Sequence, residues 1–173
     1  MPVSVDPAAP SAAPVEVLLS LGSNIEPQRH LRAALEEIER AFGAVRVSPA
    51  YRFAAVGFDG APFVNGAAVI RSAWPLARLE DWLHALEDRH GRDRSGPRLS
   101  DRTLDVDVVF YGDHVLHEGG RVRVPRPELK HAFVLKPLAD IAPAFVDPLG
   151  GRSLAELWQA HPQHGEAFEV VPL

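Results

Sequence analysis

Strand, helix, strand, strand, helix and strand follow one another between Val15 and Tyr111, and each helix carries a single apolar stripe. A length of 173 residues suits one domain. Together these observations predict an α+β fold, a ferredoxin-like α/β sandwich with an antiparallel sheet and helices packed on it.

The elements follow in order. Val15 to Leu21 is a short apolar run ended by Gly22-Ser23-Asn24, so it reads as a buried strand entering a loop. Pro27 opens a helix whose Leu31, Leu35, Ile38 and Phe42 recur at spacings of three and four, and Gly43 stops it. Val45 to Ala55 and Val64 to Arg71, rich in valine, isoleucine and aromatics, read as strands. The glycines and proline of Gly57 to Pro62 make a loop between them. After Pro75, the stripe Leu76, Leu79, Leu83 and Leu86 predicts a second amphipathic helix, with Gly91 as its stop. Residues 92–103 show neither period and read as an arginine-rich loop. Leu104 to Tyr111 is a strand, Asp113 to Gly120 a polar turn, and Val122 with Val124 the start of a short strand. Short helices are expected over Ala132 to Ile141 and Ser153 to His161. Residues 1–14, with four prolines, four alanines and one charge, read as a disordered tail, and residues 15–173 as one domain.

Composition excludes several classes. The absence of cysteine removes thiolate zinc sites, disulfide scaffolds and cysteine nucleophiles, and it fits a cytoplasmic location. A formal net charge of -5 argues against non-specific nucleic-acid binding. No apolar run is long enough to span a membrane. The cations are almost all of one kind: Lys130 and Lys136 stand against sixteen arginines. Arg89, Arg92, Arg94, Arg98 and Arg102 crowd into fourteen residues. A guanidinium fork grips phosphate or carboxylate at two points, where lysine acts as a point charge.

In the strand Leu104 to Tyr111, period two puts Asp105 and Asp107 on one face and Leu104, Val106, Val108 and Phe110 on the other, core face. Paired like charges on a strand repel, and a hard divalent cation relieves them; the alternative is a polar face that meets water. Arg102 precedes Asp105 by three residues, so carboxylates that collect magnesium stand beside guanidiniums that collect phosphate oxygens. Neither a phosphate-loop signature nor a dinucleotide fingerprint is present. Phe53, Phe58, Phe63, Asn65 and Phe133 are available for an aromatic slot, and the Asn65 amide offers both donor and acceptor to a heterocycle edge. His114 with His117 and His161 with His164 read as surface pairs, and Ser20 and Ser23 lack a nucleophile context.

Asp101-Arg102-Thr103-Leu104-Asp105-Val106-Asp107 resembles the R-T-L-D-x-D signature of the 6-hydroxymethyl-7,8-dihydropterin pyrophosphokinase family. Leu21 to Asn24, Tyr51-Arg52, Phe63 to Ala67, Glu87 to Arg92 and Phe133 to Pro143 match further family segments in order. The resemblance implies a magnesium-dependent transfer of pyrophosphate from ATP to 6-hydroxymethyl-7,8-dihydropterin, releasing AMP, in folate synthesis. It implies that Asp105 and Asp107 hold two magnesium ions and that Arg92, Arg94 and Arg102 serve catalysis. Glu87, Arg94, Arg102, Val108, Arg121 and Arg126 would bind ATP, and Val56, Gly57, Phe63, Asn65 and Phe133 the pterin. The expected assembly is a monomer without nucleic-acid or membrane partners. The chain departs from the family pattern at Leu99, Ser100 and Asp101, at Arg126, at His131, and over Phe53 to Val56. These departures motivate the alternative of a non-catalytic or altered-specificity relative, which pterin-dependent AMP release would separate from the enzyme. A D-x-D nuclease is the third reading; the acidic charge argues against it.

Overall fold

The structure is a computed structural model that describes residues 13–173; most of the expected tail over residues 1–14 lies outside the described residues. Strand β1 (Val15–Ser23) runs two residues past its expected end, carrying Gly22 and Ser23 into the sheet. Helix α1 (Pro27–Phe42) buries His30, Leu31, Ala34 and Ile38. One strand was expected over Val45 to Ala55, but two form, β2 (Arg46–Val47) and β3 (Ala50–Phe53). Pro49 has no N–H for a ladder, so Ser48 takes over the pairing. Its N–H donates to the Ala67 carbonyl at 3.0 Å, and its Oγ accepts from the Ala67 N–H at 2.8 Å. Strand β4 (Phe63–Ser72), helix α2 (Leu76–Arg89) and strand β5 (Asp105–Tyr111) follow as expected.

The expected polar turn over Asp113 to Gly120 contains a strand, β6 (Leu116–Glu118), which forms a hairpin with β7 (Arg121–Val124). Gly119 and Gly120 both take positive φ, 59° and 76°, as a two-residue hairpin loop requires. With Leu116 the one buried residue of three, the strand leaves almost no apolar pattern to read. A 3-10 turn at Pro127–Lys130 leads into α3 (Ala132–Ile141), whose bounds are those expected. Helix α4 (Leu154–Gln159) is shorter than the expected span. Ser153 caps it, Oγ accepting from the Glu156 N–H at 3.1 Å. Strand β8 (Val170–Val171) closes the described chain.

The main sheet runs β5-β1-β4-β3-β8, with β2 beside β4, and every pairing is antiparallel. Its two faces bury different partners. Val17, Leu19, Leu21, Val64, Ala68 and Ile70 meet the leucine stripes of α1 and α2. Leu18, Ala67 and Val69 meet α3 and Leu154. Asn65 shares the α3 face by alternation with Ala67 and Val69.

A bulge in β5 corrects one sequence expectation. Leu18 pairs with Phe110 and Leu19 with Val108, so Val109 is an extra residue on that strand. Leu104, Val106 and Val108 face α1 and α2 as expected. Phe110 has changed sides and packs with Val109 in the α3 core.

Candidate active site

Three neighbouring strands meet at one end of the sheet on the α3 face. Gly22 of β1 pairs with Asp105 of β5 on one side and with Asn65 of β4 on the other. Asp105, Gly22 and Asn65 therefore form a row, with about 10 Å between its ends at the usual strand spacing. A side chain at the centre would fill the row: a Cβ on Gly22 would lie 2.6 Å from Asn65 Nδ2. Around this row opens a cavity of about 330 Å³, lined among others by Ser20, Val56, Phe58, Phe63, Phe133, Glu87, Arg92, Arg94, Arg102, Asp107 and Arg126.

At the β5 end the chemistry is ionic. The Asp105 side chain is 41% exposed and meets Arg92 Nη1 at 3.2 Å. Asp107 meets Arg126 Nη2 at 3.5 Å. Arg126 is placed there by its own backbone, whose N–H donates to the Val109 carbonyl at 2.9 Å. Because β5 is the edge strand, the Val106 N–H has no strand partner, and Glu87 Oε2 accepts it at 2.8 Å. That bond joins the end of α2 to the start of β5. Burial, and then the adjacent Asp105 charge, pushes Asp107 up to about 7; the same two causes push Glu87 up to about 7. Asp105 and Asp107 thus share one face in a setting where burial and mutual repulsion penalise ionisation, and a divalent ion with oxygen-donor preference fits such a carboxylate pair. Among the described residues no three or more His, Cys, Asp or Glu converge as a metal cluster.

The arginine loop (92–103) closes one side. Arg94 meets Glu87 at 3.1 Å and Asp88 at 3.1 Å and is half exposed. Arg102 is buried, and its guanidinium bonds to Ser100 Oγ and to the Arg98 and Asp101 carbonyls, knitting its own loop together. Burial, and then Arg92, draws its pKa below the usual guanidinium range.

At the β4 end the cavity is aromatic. Phe58 and Phe63 meet edge to face at 6.2 Å, and Phe133 stands at the start of α3 with His131 stacked on it at 5.0 Å. Phe53 lies behind Phe133 in an aromatic cluster with Tyr51 and Phe168 and does not line the cavity. Asn65 is buried, its Nδ2 3.4 Å from the Leu21 carbonyl, while its Oδ1 has no hydrogen-bond partner among the described residues. A buried, unpaired acceptor costs about 1–3 kcal/mol, which a ligand donor would recover.

The cavity thus brings together Glu87, Arg92, Arg94, Arg102, Asp105, Asp107, Arg126, Val56, Phe63, Asn65 and Phe133. Gly57 stands at its rim, where a Cβ would lie 2.5 Å from Leu99 Cδ1. Two expected residues fall elsewhere. The Val108 side chain is in the opposite core, and Arg121 lies on the exposed β6–β7 hairpin in a hollow shared with Arg126 and Glu128. Sequence reasoning missed Ser20, His84 and Glu128. Only Ser20 left a signal, as a polar residue within an apolar strand run, on the same face as buried Leu18.

The family described as 7,8-dihydro-6-hydroxymethylpterin-pyrophosphokinase (HPPK) matches residues 18–143. A 2-amino-4-hydroxy-6-hydroxymethyldihydropteridine pyrophosphokinase of Pseudomonas aeruginosa is 40% identical over 154 residues, 86% of this chain and 93% of that protein. The Synechocystis protein of the same name is 35% identical over 158 residues, covering 87% and 80%. In fold the chain is similar to Plasmodium falciparum HPPK-DHPS, with a TM-score of 0.68 at 10% identity, over 88% of this chain and 45% of that one. The chain therefore spans less than half the length of that solved structure.

Proposed function

The chain belongs to the 7,8-dihydro-6-hydroxymethylpterin-pyrophosphokinase family, and from that premise we propose how its own residues carry out the transfer. As a member of the family it is a diphosphokinase that transfers pyrophosphate to the hydroxymethyl group of a reduced pterin in folate synthesis. The donor in this reading is ATP. The pterin hydroxymethyl oxygen forms a bond to the β-phosphorus as the bond from that phosphorus to the α-bridging oxygen breaks. AMP leaves with the bridging oxygen, and the hydroxyl proton is released.

One observation supports this reading above the others: the row Asp105, Gly22, Asn65 sets an ionic end and an aromatic end on adjacent strands of one cavity. Asn65, with its unpaired Oδ1, accepts from the pterin edge, while Phe63 and Phe133 cover the ring. Val56 and Gly57 border that end. Arg92, Arg94 and Arg102 hold phosphate oxygens, and Arg126 does the same from the far side of Asp107. Glu87 borders the nucleotide, whereas Val108 and Arg121, which lie outside the cavity, are given no part in it. Asp105 and Asp107 would hold two magnesium ions, which supply charge neutralisation on the phosphates. Reaction of this kind depends on positioning and charge, so no single general base is assigned. The chain is proposed to work as a monomer.

The test is AMP production by the full chain with magnesium and ATP. AMP should appear in equal amount to pyrophosphorylated pterin and only when 6-hydroxymethyl-7,8-dihydropterin is present. Nucleotide cleavage that ignores the pterin, or no cleavage at all, would end this reading.

A further inference from the structure

Asn24 follows the last residue of β1 and does not line the cavity, yet it is buried and fully bonded. Its Nδ2 donates to Asp101 Oδ1 at 2.8 Å and to the Ala61 carbonyl at 3.0 Å. Its Oδ1 accepts from the Arg102 N–H at 2.8 Å, and its own N–H donates to the Arg102 carbonyl at 3.0 Å. These partners come from two loops that are separate in sequence. Ala61 belongs to the loop before β4, which carries Val56, Gly57 and Phe58 at the aromatic end. Asp101 and Arg102 form the root of the arginine loop at the ionic end.

The loops also touch directly. Leu99 packs on Gly57, and a Cβ on Gly60 would lie 2.8 Å from Asp101 Oδ1. Among the described residues Asp101 makes no ion pair with Arg102. Its carboxylate accepts from the Asn24 amide, which fixes which way that amide points.

We propose that Asn24 and Asp101 are a positioning pair that clasps the two loops at a set separation. One side-chain amide thereby governs affinity for the pterin and for the nucleotide together. Loops with little core of their own lose binding when they are free to wander, and pre-organising them recovers it. The inference rests on the assignment of the two cavity ends made above.

Replacing Asn24 by aspartate keeps its shape, removes both donors and sets two carboxylates against each other. Titration calorimetry on the full chain would use a non-hydrolysable ATP analogue with magnesium, and separately the pterin. The Asn24→Asp variant should bind each about tenfold more weakly than the parent, with a Tm lower by roughly several degrees. Combining it with Asp101→Asn restores a donor between the two positions but leaves the Ala61 carbonyl without one. The double variant should therefore recover nucleotide affinity and stay weak for the pterin, a split that a general loss of structure would not produce. The clasp is refuted if the parent binds both ligands and Asn24→Asp binds them equally well, or if the double variant regains both affinities or neither. A parent that binds neither ligand refutes the proposed function itself. Should Asn24→Asp fail to fold, Asp101→Ala carries the test. It should weaken nucleotide binding severalfold while sparing the pterin, and unchanged nucleotide affinity would overturn the proposal.

Discussion

Asp105 and Asp107 sit two residues apart on one strand face, but their surroundings give them different burdens. Asp105 is the more exposed and is already paired with Arg92, so its loss should cost little stability. The Asp105→Ala variant is expected to fold with a parent-like Tm and to lose at least about a hundredfold in kcat, since each ~1.4 kcal/mol of lost charge stabilisation is tenfold. Steady-state kinetics beside a thermal melt checks both halves. Asn65 presents the opposite case, a buried amide whose oxygen lacks a partner. Asn65→Ala should weaken pterin binding by about tenfold to a hundredfold and leave the affinity for the nucleotide analogue unchanged in calorimetry. Gly22 matters because of the space beside it: with Asn65 Nδ2 only 2.6 Å from a built Cβ, Gly22→Ala must push the amide aside and should mimic Asn65→Ala.

Helix α2 and the arginine loop that follows it divide stability from chemistry. Leu83 is 1% exposed in the core between α2 and the sheet. Leu83→Ala should cost about 2–5 kcal/mol in urea unfolding while leaving the cavity intact. Arg94, half exposed and paired to Glu87 and Asp88, should behave in reverse: Arg94→Ala stays within about 0.5 kcal/mol of the parent and slows turnover. Glu87 joins the two regimes, because its carboxylate both closes the β5 edge at Val106 and lines the cavity.

Across the whole molecule the ligand-free cavity leaves a signature in stability against pH. Asp107 is raised from 3.8 to about 7, so between those values the folded state holds a proton that the unfolded chain releases. Stability should then fall as pH rises from about 4 to about 7, the opposite of a salt-bridged carboxylate. Glu87 is shifted in the same sense, so the test is a difference: Asp107→Asn should flatten the slope measured by denaturation across that window. Magnesium with the ATP analogue should shrink the slope in the parent, because a cation held by the Asp107 carboxylate favours its ionised form.

The α+β order, both leucine stripes, the bounds of α1 and α3, and the acidic pair with its arginines could be read from the residues directly, because these depend on periods and residue types close along the chain. Val122 and Val124 marked β7, but the break between β2 and β3 at Pro49, strand β6 and β8 were not legible, since two- and three-residue strands leave no period. Tertiary structure alone decided the rest. The bulge at Val109 turned Phe110 to the α3 face, and strand pairing set Asp105 beside Gly22 and Asn65. Chain crossing brought Asn24 against Ala61 and Asp101. Each of these depends on which residues become neighbours after strands far apart in sequence have paired, and no local pattern encodes that.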